Sequence, residues 1–218
     1  MGKVYRCFVE KKSGCDVEAR QLFAELRHTL GLERLTGVRV ILRYDVEGVD
    51  DAAYAAARST VLSEPQVDNV WDEDFPLPAK AGCLLAVEAL PGQYDQRADS
   101  AAQCIQMLTG GERPAVRSAA LYLLEGALTE GDLARARGYL INPVESREAL
   151  LDKPDTLYQT YPEPADVPVL TGFTALDKAG LEKLLGEYGL AMDLADLKFL
   201  QAYFRDEERR DPTLTEVR

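Results

Sequence analysis

Cysteine and histidine are the residues with which this chain could perform nucleophilic or metal chemistry. Its 218 residues include four cysteines and one histidine, His28. No two cysteines have the C-x-x-C spacing, so a zinc site built from cysteine and histidine is not predicted. We predict that the cysteines are reduced and are buried or incidental to function, and that His28 lies on the solvent side of its helix. The cysteines are Cys7, Cys15, Cys83 and Cys104.

The stretch KKSG, residues 11–14, contains residue types that bind phosphate. A P-loop requires the order G-x-x-x-x-G-K-[ST], which the sequence lacks. We therefore predict a strand-to-helix turn in which Gly14 adopts positive φ. The matching stretch of the second half, LPGQYD, keeps a glycine, Gly92, but has no lysine pair, which also favours a turn.

The remaining charged residues indicate no catalytic site. Carboxylates are numerous but scattered, and no pair is typical of acid–base catalysis. Arg39 and Arg117 recur at matching positions, each between apolar residues of a predicted strand. A structural salt bridge or an interface role is favoured for both over substrate binding. The sequence thus predicts no catalytic, cofactor-binding or metal-binding residue.

Charge and hydropathy limit the partners. With 37 acidic and 25 basic residues the net charge is −12, which disfavours nucleic acid, because binding phosphates requires a basic surface. No run approaches the roughly 18 apolar residues of a membrane helix. The opening MGKVYRCFVEKK lacks the apolar core of a signal peptide. We therefore predict a cytoplasmic protein without membrane or nucleic-acid partners.

An internal repeat organises the first 150 residues. A constant shift of 78 positions aligns two halves without a gap, so that VRVILRYDVEG falls on VRSAALYLLEG. Tyr44 then matches Tyr122, and Gly48 matches Gly126. Repeat 1 covers about residues 1–78 and repeat 2 about residues 79–150.

Each half has the same pattern of strands and helices. Alternating, β-branched stretches predict strands, and apolar residues at helical spacing predict helices, the first opened by Asp16 and the second by Asp50 or Asp51. The predicted fold class is α+β, with tandem duplicated ferredoxin-like β-α-β-(β)-α-β units forming a pseudo-twofold pair. The two sheets could join edge to edge or pack face to face. The predicted strands are KVYRCFVEK, GVRVILRYDVEG, QVDNVWDEDF, GCLLAVEAL, AVRSAALYLLEG and a less regular one near PVESREALL; the predicted helices are DVEARQLFAELRHTLGL, DDAAYAAARSTVL, QRADSAAQCIQML and TEGDLARARGYL.

A proline-rich connector and a small helical region complete the chain. Residues 151–172 contain four prolines, which favour an extended and semi-rigid backbone. Leu157, Tyr158 and Tyr161 suggest that this connector lies against a surface. In residues 173–218 we predict two helices, which start at Thr174 and Asp193, the first ending at Gly189. Such a pair is a poor domain alone and is expected to need a partner surface.

The last eight residues, DPTLTEVR, carry the signals of a helix start. Asp211 is the predicted N-cap, and Thr213 and Glu216 have the spacing of a capping box. We expect the helical region to be truncated here, with the rest of this helix in a following domain. Residues 211–218 are therefore predicted to be frayed or displaced, because short helices are marginal in water.

Three stretches resemble the N-terminal region of large single-chain phosphoribosylformylglycinamidine synthases. These stretches are FVEKKSGCDVEARQL, VRVILRYDVEGV and ADLKFLQAYFRDEERRDPTLTEVR, and the resemblance covers essentially the whole chain. Enzymes of this family are glutamine-dependent carbon–nitrogen ligases of purine biosynthesis. They convert formylglycinamide ribonucleotide, glutamine and ATP to the amidine.

The resemblance implies a non-catalytic scaffold. Residues 1–150 would correspond to two fused copies of the small accessory subunit of split enzymes, and residues 173–218 to the linker domain. The chain would help to join the synthetase and glutaminase domains for ammonia transfer. ATP and Mg²⁺ would bind elsewhere in the full-length enzyme, so this chain alone would be inactive. Self-association through sheet edges or exposed linker surfaces is left open.

Two other hypotheses remain from the sequence. The first is a stand-alone tandem ferredoxin-like regulatory module that binds a small ligand between its halves. The second is a complete small enzyme, which the lack of catalytic residues disfavours. Neither the oligomeric state nor the packing of the two halves is predicted from the sequence.

Overall fold

The computed structural model describes residues 2–77, 82–158 and 163–218, which divide into two units. The first unit is Met1–Gln159 and the second is Thr160–Arg218. Unit 1 is a mixed α+β structure with a six-stranded antiparallel sheet. Unit 2 consists of helices and short turns.

The strands and helices of unit 1 follow the sequence predictions. A π-helical turn, Glu25–Thr29, extends the first helix, and the least regular predicted strand is formed over three residues. The elements are β1 Tyr5–Lys11, α1 Val17–Ala24, β2 Leu35–Glu47, α2 Asp51–Thr60, β3 Asp68–Asp72, β4 Cys83–Ala89, α3 Gln96–Thr109, β5 Ala115–Gly126, α4 Glu130–Leu140 and β6 Ser146–Glu148.

The strands of both halves form one sheet in the order β3-β1-β2-β5-β4-β6. The two long central strands, β2 and β5, pair with each other and so join the halves edge to edge. Within the described ranges, the optional extra strand of each half is not formed. The neighbours of β2 in the sheet are β1 and β5.

The pairing register repeats with the same shift of 78 that aligns the sequence. Leu42 of β2 lies directly opposite Ala120 of β5, which is the residue 78 positions later. Pairs on either side of Leu42 are therefore related by a twofold rotation about this point. The outer strands keep the relation: Cys7–Tyr44 matches Leu85–Tyr122, and Val9–Val70 matches Val87–Glu148.

The helices cover one face of the sheet as two pairs. Helices α2 and α3 pack through a cluster that includes Tyr54 and Ile105. Helices α1 and α4 belong to a second cluster, which includes Leu26 and Ala136. Strand β2 contributes to both clusters, with Tyr44 and Val46 in the first and Leu35 and Val40 in the second.

The other face of the sheet is covered by chain segments instead of helices. Its apolar centre includes Phe8, Ile41 and Leu121. The segment that follows β3 (residues 73–77, the β3 segment) places Phe75 against Phe8, with ring centroids 4.7 Å apart. The segment that follows β6 (residues 149–157, the β6 segment) lies on the same face.

Unit 2 contains α5 Lys178–Tyr188, α6 Leu194–Tyr203 and α7 Leu214–Val217. The predicted helix start at Thr174 is wrong, since Thr174 lies in a 3-10 turn. The helix begins after Asp177, whose carboxylate accepts a hydrogen bond from the Gly180 amide at 2.8 Å. Gly189 ends it with φ +56, as predicted.

The prediction that residues 211–218 are frayed is also wrong. Thr213 is the N-cap of α7, and its side chain and that of Glu216 satisfy each other's backbone amides. Val217 is 2% exposed and packs with Phe173 and Leu197. Helix α7 packs against the core of unit 2. This packing stabilises a helix that would be too short to be stable in isolation.

Asp211 has a role that differs from the predicted N-cap. Its carboxylate accepts hydrogen bonds from the amides of Gly172 (2.7 Å) and Thr174 (3.0 Å). These bonds hold the pKa of Asp211 below its ordinary value. Asp211 thus fixes the turn before α5, some forty residues earlier in the chain.

Candidate functional site

The helical face of unit 1 contains a crevice of about 670 Å³, which we call the α1–α2 crevice. It lies between the start of α1 and the end of α2. Its floor includes Val9 of β1 and Val40, Leu42 and Tyr44 of β2. These residues share one face because side chains alternate along a strand. The floor is therefore mainly apolar.

Three polar side chains from different elements border the crevice, namely Glu18 of α1, Tyr44 of β2 and Arg97 of α3. Arg97 lies within hydrogen-bonding reach of the Tyr44 hydroxyl, and within the described ranges we find no salt bridge to Glu18 or Arg97. Burial lowers the pKa of Arg97, but the nearby Tyr44 hydroxyl and the charge of Glu18 raise it overall. Burial, together with the charge of Glu18, raises the pKa of Tyr122, the repeat mate of Tyr44. The two helices thus bring a cation and an anion close to both tyrosines.

The start of α1 differs from the prediction. Asp16 occupies the N-cap position, but its side chain accepts no hydrogen bond from the helix. It accepts from the Gly14 amide at 3.0 Å instead, and Gly14 has φ +89 as predicted. Asp50 and Asp95, at the starts of α2 and α3, do cap their helices. The first-turn amides of α1 are therefore left without a side-chain acceptor.

The two lysines of KKSG are used in structural contacts. Lys11 pairs with Asp68 at 2.9 Å, and this contact raises the pKa of Lys11. The second carboxylate oxygen of Asp68 accepts from the Glu64 amide at 2.7 Å. Lys12 donates to the Pro65 carbonyl at 2.7 Å. The lysines join the turn after β1 to the turn before β3, which favours the structural interpretation.

A buried charge cluster lies on the opposite face of the sheet. Arg6 donates two hydrogen bonds to Asp45, at 2.6 and 2.8 Å. Arg43 approaches the same carboxylate at 3.5 Å. The two guanidiniums also donate to the carbonyls of Leu151 (2.6 Å) and Leu150 (2.7 Å) in the β6 segment. The cluster therefore holds this segment across β1 and β2.

The two recurring arginines have parallel roles in holding the segments. Arg39 pairs with Glu10 at 2.7 Å and donates to the Pro76 carbonyl in the β3 segment. Arg117 donates to the Leu157 carbonyl in the β6 segment at 2.8 Å. Each arginine contacts the segment that leaves the last strand of its own half. These contacts agree with the predicted structural role.

The β6 segment is the part of the connector that lies against unit 1. Glu47 accepts hydrogen bonds from the Leu157 amide (2.6 Å) and the Thr156 hydroxyl (2.9 Å). Leu157 is buried, as predicted, but Tyr158 is exposed. Tyr161 lies outside the described residues.

The cysteines and the histidine are not among the residues that line the crevice. Cys7 is buried, which raises the pKa of its thiol to about 12, and Cys15 and Cys104 are exposed. His28 is exposed, as predicted. Across the described ranges, no group of three or more metal-ligating side chains comes together. Nor does any helix in those ranges have the length and apolar composition to cross a membrane.

Sequence reasoning did not find the residues that border the crevice. The recurrence of tyrosine at positions 44 and 122 was a signal, since each lies near the centre of its half. Nothing in the local sequence around Glu18 or Arg97 indicates a binding role. They lie in the first turns of two helices that are separated by more than seventy residues, and these helices become neighbours because they pack on the same sheet.

Comparison of the chain with models of known protein families gave no match, and no curated protein matched it.

Proposed function

We propose that this chain is the N-terminal, non-catalytic scaffold of a phosphoribosylformylglycinamidine synthase. In that enzyme it would join the synthetase and glutaminase domains so that ammonia passes between them. The chain itself would bind neither ATP nor Mg²⁺, and it would be inactive alone. Its compartment would be the cytoplasm.

The pairing register is the observation that carries this proposal. The resemblance implies two fused copies of one accessory subunit, and such copies should meet about a twofold axis. Leu42 and Ala120, the matching residues of the two halves, face each other at the centre of the sheet. A duplicated ferredoxin-like unit in which β5 replaces the missing strand beside β2 accounts for this register.

The remaining regions have proposed roles of their own. Residues 1–150 would be the duplicated domain, 151–172 the connector and 173–218 the linker domain. In unit 2, Phe199 of α6 is 74% exposed, and Tyr203 follows one turn later on the same helix. Paired exposed aromatic residues are typical of surfaces that bind other proteins. We propose that this α6 surface contacts the rest of the enzyme.

Reconstitution tests the scaffold proposal. The chain would be mixed with the synthetase and glutaminase domains of a synthase of this family, expressed without their own N-terminal region. We expect a stable complex and restored glutamine-dependent formation of the amidine. A Phe199→Ser variant should associate more weakly, while Tyr94→Ser, at an exposed position of unit 1, serves as a control. Absence of both association and activity would count against the proposal.

The α1–α2 crevice favours a second candidate function. Its volume lies within the range of about 300–1,000 Å³ that is typical of small-molecule sites. A stand-alone regulatory module that binds a small ligand would use this crevice. Association with synthase domains would then be absent, while a ligand would stabilise the chain against heat.

A further inference from the structure

We propose that the α1–α2 crevice binds a free α-amino acid with a large apolar side chain. The inference does not depend on the scaffold function, and it assigns a ligand class to the second candidate function. Glu18, Tyr44 and Arg97 would recognise the charged end of the amino acid. Val9 and Leu42, on the floor, would contact its side chain.

The floor of the crevice is suited to an apolar side chain. Val9, Val40 and Leu42 come from neighbouring strands and form a continuous surface between the two helices. The volume of about 670 Å³ accommodates a leucine-sized or phenylalanine-sized group together with water. Transfer of such a group from water onto an apolar surface is favourable.

The mouth of the crevice has one positive and one negative group. Glu18 and Arg97 are exposed and line the crevice. Arg97 lies within reach of the Tyr44 hydroxyl, but within the described part of the chain we find no salt bridge for Glu18 or Arg97, including between the two. An α-amino acid carries both charges on a single carbon atom. Its carboxylate can accept from Arg97 while its ammonium donates to Glu18, so that both form charge-assisted hydrogen bonds.

Tyr44 supplies a further donor at the bottom of the crevice. Its side chain is 6% exposed, and its hydroxyl lies within hydrogen-bonding reach of Arg97. A guanidinium can only donate, so the Tyr44 hydroxyl proton stays available, and a bound carboxylate could accept from both groups.

The lining disfavours a ligand with negative charge alone. Carboxylates outnumber cations around the crevice, so a simple organic acid or phosphate would be repelled. A zwitterion avoids this repulsion because its ammonium group faces the excess carboxylates. The lining carboxylates are those of Glu10, Asp16, Glu18, Glu64 and Asp68, and the cations are those of Lys11, Arg39 and Arg97.

Calorimetric titration of the full chain tests this proposal. L-phenylalanine and L-leucine would be compared, up to about 10 mM, with N-acetyl-L-phenylalanine and L-phenylalaninamide. We expect saturable binding of one amino acid per chain. Each blocked derivative should bind about tenfold or more weakly, the loss expected for one charge-assisted hydrogen bond.

Two exposed variants identify the site. Arg97→Gln and Glu18→Gln should each weaken binding by about tenfold without disturbing the fold, since both side chains are at the surface. Arg137→Gln is the matched control, because Arg137 pairs with Glu148 outside the crevice lining. It should leave the affinity unchanged. Tyr44→Phe removes the buried hydroxyl and should also weaken binding. If Tyr44→Phe does not fold, Arg97→Gln and Glu18→Gln still test whether the amino acid binds in the crevice.

Three results would overturn the proposal. They are no saturable binding of either amino acid, equal binding of the blocked derivatives, and affinities unchanged in both surface variants. Association with synthase domains is measured without added amino acid. Failure of the reconstitution therefore leaves the crevice proposal standing, and failure of the titration leaves the scaffold proposal standing.

Discussion

Asp45 holds two arginines that unit 1 buries almost completely. Arg6 and Asp45 are 4% and 2% exposed, and Arg43 is beside them. Asp45→Ala would leave both guanidiniums without their shared carboxylate. We expect the free energy of unfolding to fall by about 3–5 kcal/mol, because an uncompensated buried charge is highly unfavourable. Urea denaturation followed by circular dichroism measures this.

The control for Asp45 is an acid whose partner is exposed. Glu148 pairs with Arg137 at 3.4 Å on the surface, where ion pairs contribute little to stability. Glu148→Ala should therefore leave the denaturation midpoint nearly unchanged. Equal effects of the two substitutions would show that the buried cluster is not the source of stability.

Glu216 makes the stability of the C-terminal helix α7 depend on pH. The hydrogen bonds from Arg210, and then those from Thr213, lower its pKa from 4.5 to about 2. A carboxyl group with a depressed folded-state pKa stabilises the fold above its unfolded pKa, and this contribution is lost as the pH falls. We expect the contribution of Glu216 to be complete above about pH 5 and lost by about pH 2.

The Thr213 amide reports this titration, because it donates to Glu216 at 2.8 Å. Its NMR chemical shift should follow a transition with a midpoint near 2. Glu216→Gln should abolish the transition, while Glu207→Gln, at an exposed residue of the preceding turn, should not. A midpoint near 4.5, the unperturbed value, would contradict the capping arrangement.

At the scale of elements, the start of β4 depends on a glycine. A Cβ atom on Gly82 would overlap the backbone carbonyl of Leu124 in β5. Gly82→Ala should push the two strands apart and destabilise unit 1 by about 1–3 kcal/mol, as overpacking does. Thermal unfolding and amide exchange of β4 measure this effect.

Gly138 provides the opposite case inside α4. A Cβ atom on Gly138 would meet no neighbouring atom within 4 Å, so the space for a methyl group is open. Gly138→Ala should raise stability by about 0.5–1 kcal/mol, because alanine loses less conformational entropy in a helix. Thermal unfolding measures the gain, and destabilisation by Gly138→Ala would mean that this face of α4 is packed.

Local signals predicted most elements but not the contacts between distant ones. The alternation in KVYRCFVEK and the apolar spacing after Asp16 depend on neighbouring residues, and both predictions were confirmed. Asp16 is at the N-cap of α1 as predicted, but its carboxylate accepts from the Gly14 amide and not from the helix. The crevice and the Arg6–Asp45 cluster join residues far apart in the chain. Their pairing is decided by the sheet register, which no local pattern specifies.

The end of the chain illustrates the same limit. The capping box at Thr213 and Glu216 was visible in the sequence and is formed. The prediction that these residues are frayed was wrong. It was based on the helix alone, and a helix of four residues is not stable in isolation. The buried position of Val217 depends on a pocket made by α5 and α6, so stability here is a property of unit 2 and not of its last segment.

At the scale of the whole molecule, the central register predicts how one half would behave alone. If unit 1 is a duplication, residues 1–78 retain a β2 strand whose partner was originally a copy of itself. Pairing two β2 strands about Leu42 places Asp45 opposite Arg39 of the other copy. Opposite charges at facing positions stabilise a sheet, whereas an unpaired β2 would be a long open edge. We therefore expect residues 1–78 to form a symmetric dimer.

Sedimentation equilibrium of residues 1–78 tests this expectation. The fragment should sediment as a dimer with the strand content of the full unit. Ile41→Pro should abolish dimerisation, because backbone amides of alternate β2 residues face β1 and β5 in turn, and Ile41 lies in the set that faces β5. Proline there removes a donor from the shared ladder. Val17→Pro, at the first position of α1 where proline is tolerated, should leave the dimer intact. A folded monomer with a free β2 edge would contradict the duplication, since the sheet centre would then not be self-complementary.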